Sequence, residues 1–400
     1  MQAEPSPQGS LSIDEARRIV LHAQGFVAGE STPRTVPAIL HRLGAVQLDT
    51  VSVLARSHEL VAYARLGAMA RAEVEAAYWS SPPRTFEYWA HANCILPMQA
   101  WPYFAFRRRT RRATTAGWIK PESEASTDEV LARLRAGPLT TADVGGARAS
   151  PAGWWNWSEA KRALEWLYYR GEVVCTNRIG WRRVYDLPER AIPPALLANE
   201  PDDEECYAYL VEAAMTGLGV GTRRDIAAYF QLTGPSRSAP RNARALIDGA
   251  IEAASLVPVK VEGWSEVAYA REETLSRPVE GECRSVLLSP FDSLVWAPSR
   301  RHRRTERLFN FTYQTELYLP KEKRTHGYFV MPLLANGRIA GRADPVRRGK
   351  TLVASRVSLD DPEAAPAMAE ALREAATWVG CDSVVVESAS PRGILDGYSF

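Results

Sequence analysis

Four segments within residues 128–187 decide how the chain is read: DEVLARLRAG (128–137), LTTADV (139–144), SEAKRALEWLYYRG (158–171) and EVVCTNRIGWRRVYDL (172–187). The first is amphipathic at helical period. The second offers Thr140 or Thr141 as the cap of another helix, and the third is a helix again. The fourth reads as two strands turning near Asn177–Gly180. Three helices followed by a hairpin is the order of a winged helix-turn-helix.

The order then returns. CYAYLVEAAMTG (206–217), TRRDIAAYF (222–230) and RNARALIDGAIEAA (241–254) are helical, and LVPVKVEGWSEVAYA (256–270) supplies a second wing. Its Gly263-Trp264 lies 83 residues after Gly180-Trp181, each pair just beyond a short strand. The same element order with the same landmark indicates an internal repeat. The N-terminal region is a candidate third copy. It opens on a capping box, Ser12 with Glu15, and its wing is less obvious. After Cys283 the texture changes to strand-like runs, with Asn336-Gly337 as a two-residue hairpin signal. The expected class is therefore α+β: winged units at 125–195 and 203–277, a candidate third at 11–120, and a separate β-rich domain at 283–400.

Composition fits that reading. The 400 residues exceed what one core usually organises. No apolar run approaches the roughly 18 residues of a membrane span, and MQAEPSPQGS at the start has no signal-peptide h-region, so a cytoplasmic location is expected. The five cysteines are scattered and form no C-x-x-C pair, and no H-E-x-x-H or phosphate-cradling glycine motif occurs. No metal and no cofactor is expected. Net charge is only +2, but basic residues cluster in FRRRTRR (106–112) and PSRRHRRTER (298–307). Each cluster is either a solvated helix face or a DNA contact. Winged helices most often bind duplex DNA, and several in one chain favour a monomer gripping one duplex.

The stretch RLGAVQLDTVSVLARSHELV (42–61) carries two polar residues, Gln47 and Asp49, through an apolar run. In an extended segment the two project to the same face while Leu48 anchors the other. On a helix they would diverge by about 200°. The expectation is thus a strand or loop at 47–49, with a helix from about Thr50. Asp49 would also serve as that helix's N-cap, and Gln47 could simply satisfy backbone groups.

VQLDTVSVLAR, LLSPFDSLVW and TYQTELYLPKEKRTHGYFVMPLLANGRIAGRADP together resemble the YcaQ/AlkZ-type DNA glycosylases, over nearly the whole chain. The resemblance implies three tandem winged helices and a small β-barrel-like domain around damaged duplex DNA. It also implies excision of alkylated purines, N7-alkylguanines among them, and in some members the unhooking of interstrand crosslinks. Gln47-Leu48-Asp49 matches the family's Gln-x-Asp signature, that of YcaQ, which makes Gln47 and Asp49 the catalytic candidates. A histidine-rich run common in YcaQ-like members is reduced here to His58.

An N7-alkylated guanine is already cationic and can leave without being protonated, so one carboxylate suffices. Asp49 would stabilise the oxocarbenium-like sugar and orient or deprotonate the water, with Gln47 holding that water. The nearest lysine to the motif is Lys120, which disfavours a Schiff-base lyase step and predicts a monofunctional enzyme. Candidate DNA contacts are Arg56, His58, Arg301, Arg303, Arg304, Lys323 and Arg324. The SPFDSLVW run reads as core of the last domain, and Trp154, Trp155 and Trp157 as packing. The expected partner is duplex DNA carrying alkylated purines or crosslinks, placing the protein on the nucleoid when bound. The competing reading is a non-enzymatic winged-helix regulator or damage sensor.

Overall fold

A computed structural model of the chain describes residues 6–29, 32–114, 119–144, 158–234, 239–296 and 304–398. The class is α+β. The residues form two compact units that interleave along the sequence. One comprises Met1–Glu75, Ala213–Ile226 and Ser255–Phe400, the other Ala76–Glu212 and Ala227–Ala254. Among the described residues no helix is long and apolar enough to cross a membrane.

The first unit opens with the helix Ile13–Ala23. Ser12 and Glu15 cap it reciprocally, the Glu15 N–H donating to Ser12 Oγ and the Ser12 N–H to Glu15 Oε2. A four-stranded sheet follows in the order Gly9–Leu11, Val257–Val261, Ala268–Ala270, Val220–Thr222. Its central hairpin contains the expected Gly263-Trp264. A second sheet of six strands runs Val286–Leu287, Met331–Ala335, Arg338–Arg348, Thr351–Leu359, Ser383–Val386, with Ala389–Ser390 also on the fourth strand. Bulges at Leu333/Leu334 and Asp344/Pro345 bend it into half a barrel. Asn336 and Gly337 both take positive φ, as a two-residue hairpin turn requires.

The helix Ala365–Trp378 lays Met368, Ala371, Leu372 and Ala375 into the core beneath this sheet, together with Leu287, Phe291, Leu317 and Phe329. Leu54, Ala55 and Leu60, just beyond the Gln-x-Asp stretch, belong to the same cluster. The expectation that SPFDSLVW is core holds: Phe291, Asp292, Ser293, Leu294, Val295 and Trp296 are all buried. Asp292 meets Arg65 at 2.7 and 3.0 Å with both side chains inaccessible, and Gln24 and the Val61 carbonyl take the remaining guanidinium protons.

In the second unit the strands lie in the order Asn93–Pro97, Thr85–Trp89, Val174–Ile179, Arg182–Asp186, Leu139–Thr140. The hairpin expected within 172–187 turns at Gly180 and Trp181, both at positive φ. The flanking helices are Glu124–Ala136 and Glu159–Arg170. Of the second expected helix, after Thr140–Thr141, only residues 141–144 are described, and they form turns; Trp154, Trp155 and Trp157 lie outside the described residues. Thr140 and Asp143 form the same Thr-x-x-Asp bonding as Thr222 and Asp225, with the threonine N–H and hydroxyl both donating to one carboxylate oxygen at 2.7 to 2.8 Å. The helices Asp203–Leu218, Arg223–Tyr229 and Ala243–Ala253 fall where the repeat was read.

FRRRTRR divides: three of its five arginines are buried, while Arg109 and Arg112 are exposed. All of it lies in the helix Ala105–Arg112, where Arg107, Arg108 and Arg111 are buried. Arg107 donates to the carbonyls of Trp89, Ala90, Phe230 and Gln231. Arg108 donates to Trp101 O and lies 4.1 Å over its ring, and Arg111 does the same with Tyr169. Burial, and then the charge of Arg111, push the Arg107 guanidinium down to about 9. Fixed carbonyl dipoles and aromatic faces replace water around these cations.

Candidate active site

Val46 and Gln47 are extended, Leu48 and Asp49 continue without helix, and the next helix is Ser57–Leu66. The strand-or-loop geometry expected at 47–49 is present, but the helix begins seven residues later than expected. Asp49 therefore does not cap it. Val51, Val53, Leu54 and Ala55 are the reason, since they turn into the core of the half-barrel unit instead of winding into a helical face. Burial alternates as the i, i+2 spacing demands: Gln47 and Asp49 are half-buried around a buried Leu48.

Asp49 is held on three sides. Its N–H donates to Ser57 Oγ at 3.1 Å, and the Ser57 hydroxyl donates to the Gln47 carbonyl at 2.8 Å. One hydroxyl thus spans the backbone of the two candidate residues. The Val51 N–H donates to Asp49 Oδ1 at 2.8 Å, an Asx turn. Tyr318 donates its phenolic hydroxyl to Asp49 Oδ2 at 2.5 Å. Burial, the hydrogen bond to Asp49 with its charge, and Tyr328 all push the Tyr318 phenol above its usual range, so the tyrosine is the donor.

Tyr318 sits on a segment tied down by two carboxylates. Glu316 accepts from the N–H groups of His326 and Gly327 at 2.8 and 3.2 Å, and Asp344 from those of Tyr328 and Phe329 at 3.0 and 2.8 Å. Gly327 has φ +144°, and a Cβ there would run into Asp344. The tied segment presents exposed Tyr318 and Tyr328 beside Lys321 and Lys323. Arg324 is half-buried, donating to Leu319 O and lying 4.7 Å over the Tyr328 ring.

The remaining candidates separate by burial. Arg56 is half-buried at the N-cap position of Ser57–Leu66, where its N–H donates to Glu59. His58 is fully buried in that helix and Arg304 is 3 % exposed, donating to Ser293 O. Both side chains are buried, which speaks against a phosphate contact at either. Arg301 and Arg303 lie outside the described residues. His58, Glu59 and Glu75 come within 4.8 Å of one another, but Glu59 already accepts from the Arg56 N–H and from Arg71 Nε at 2.9 Å, the bonding of a helix cap and an ion pair.

Sequence reasoning missed Ser57 and Tyr318. Tyr318 stands inside the TELYLP run that carried part of the resemblance, yet nothing in its spacing points to a residue 269 positions away. Ser57 had a local signal, as a small hydroxyl residue at a helix start.

A family model described as AlkZ-like, DNA glycosylase AlkZ-like, matches residues 40–378. Among solved structures the chain is similar to the DNA glycosylase AlkZ of Streptomyces sahachiroi. The TM-score is 0.62 at 19% identity, over 95% of this chain and 100% of that one.

Proposed function

The chain belongs to the AlkZ-like DNA glycosylase family, and from that premise we propose that it excises N7-alkylated purines from duplex DNA, interstrand crosslinks included, with Asp49 and Gln47 at the reaction centre. Three tandem winged helices at 11–120, 125–195 and 203–277, with the β-rich domain at 283–400, would grip the duplex as a monomer. The recurring Thr-x-x-Asp bonding at Thr140 and Thr222 supports that repeat.

The observation that carries the catalytic reading is the half-buried Asp49 carboxylate, oriented through both oxygens on an extended segment that Gln47 shares. Cleavage of the C1′–N9 bond sends its electron pair to the cationic base, which departs neutral and needs no general acid. The sugar becomes an oxocarbenium-like cation, and a fixed carboxylate stabilises it without reorganisation. Water bonds to C1′ and passes a proton to Asp49. Gln47, with donor and acceptor groups on one amide, holds that water. With no lysine in the Gln-x-Asp stretch, the reaction stops at the abasic site. A crosslinked base cannot rotate into a closed pocket, so attack within the duplex replaces conventional base flipping.

Phosphate contacts fall to Lys323 and Arg324, which flank Tyr328 on the tied segment, and to Arg56. Release of free N7-methylguanine from alkylated duplex tests the assignment. Asp49→Ala and Gln47→Ala should each lower the rate, Asp49→Ala to near background. Equal rates in wild type and both variants would remove it.

A further inference from the structure

The contact between Tyr318 and Asp49 joins two residues 269 positions apart, and both ends of it are anchored in one core. Leu317, beside Tyr318, and Leu54 and Ala55, beyond Asp49, belong to the same buried cluster. Glu316, buried, fixes the other flank by accepting from His326 and Gly327. The tyrosine therefore approaches the carboxylate from a braced segment, although 67 % of its own surface is exposed.

The bond leaves a particular division of labour on the carboxylate. Oδ1 is held by the Val51 N–H and Oδ2 by the Tyr318 hydroxyl. A carboxylate oxygen has two lone pairs, so each oxygen keeps capacity for a water or a sugar. A neutral O–H donor to an anionic oxygen makes a short, charge-assisted bond. It also fixes the rotamer, which a single backbone bond to Oδ1 leaves free to turn.

We infer that Tyr318 is a positioning residue for the reacting carboxylate, its hydroxyl keeping Asp49 aimed at C1′. The tyrosine keeps its proton throughout and touches no reacting atom. This rests on the reading of Asp49 as the reacting group. The tyrosine's role is separate from DNA affinity, because the ring and the basic residues around it remain when the hydroxyl alone is removed.

The test compares wild type, Tyr318→Phe, Asp49→Asn and the double variant on N7-methylguanine duplex under single-turnover conditions, with affinity for undamaged duplex measured alongside. Loss of one charge-assisted hydrogen bond should slow Tyr318→Phe roughly 10- to 100-fold, with duplex affinity unchanged. The double variant should be no slower than Asp49→Asn, since the tyrosine acts only through that carboxylate. A wild-type rate in Tyr318→Phe, with Asp49→Asn inactive, would overturn the inference and leave Asp49 standing. Multiplicative losses in the double variant would also overturn it. A fully active Asp49→Asn would instead remove the reading of Asp49, and the tyrosine's role with it.

Discussion

Ser57→Ala deletes one oxygen atom and with it two hydrogen bonds that brace the Gln-x-Asp segment. The hydroxyl is wholly buried, donates to the Gln47 carbonyl at 2.8 Å and accepts from the Asp49 N–H at 3.1 Å. Alanine fits the space and suits the helix Ser57–Leu66, so the change acts through the lost bonds. Each net bond contributes about 0.5–1.5 kcal/mol, and a buried group left without its partner costs about 1–3 kcal/mol. A total near 1–3 kcal/mol follows. At about 2–4 °C per kcal/mol for domains of a couple of hundred residues, Tm should fall by roughly 2–12 °C. Activity should suffer more than stability, because about 1 Å of misplacement at a reacting group costs on the order of 100-fold. Differential scanning calorimetry gives the first number and single-turnover release of N7-methylguanine the second. A variant with lowered Tm and wild-type release would show that the tether shapes the fold without aiming the carboxylate. No change in either would mean that the hydroxyl does not hold the segment at all.

Asp292→Ala strands the Arg65 guanidinium in a dry core and should destabilise by about 3–5 kcal/mol, read from the urea midpoint. Pairing it with Arg65→Met should recover much of that loss; equal instability in the double variant would contradict the charge argument. Burial alone would raise the Glu87 carboxyl, but Arg178 and Arg183 outweigh it and hold it below the ordinary 4.5. Its contribution is thus present above about pH 4.5 and lost as pH falls through the depressed folded value. Glu87→Gln should flatten the acid side of the Tm-against-pH curve, and an unchanged acid slope would refute the linkage. Lys321→Ala with Lys323→Ala should lower the slope of log Kd against log salt by about 1–2 while leaving the saturated excision rate intact. An unchanged slope would take the tied segment out of the DNA contact surface.

Local periodicity and turn chemistry were legible in the sequence, and they gave the helices, the hairpin at Gly180-Trp181 and the turn at Asn336-Gly337. The i, i+2 spacing of Gln47 and Asp49 was legible too, since an extended backbone makes it a geometric statement. The helix start was misjudged because Asp49 looks like a cap, while Val51 and Leu54 are claimed by a core assembled from residues 287 to 395. Within FRRRTRR, Arg107, Arg108 and Arg111 are buried for the same reason: composition says arginines are solvated, but carbonyls and rings from distant segments can solvate them instead. The tyrosine on Asp49 is the sharpest case. Its position is set by Glu316, Gly327 and Asp344, a set of backbone ties whose purpose appears only when the loop is closed. A residue that acts on a carboxylate 269 positions away leaves no local pattern, so searching near a catalytic motif in sequence will systematically find its backbone braces, such as Ser57, and miss the side chains that orient it.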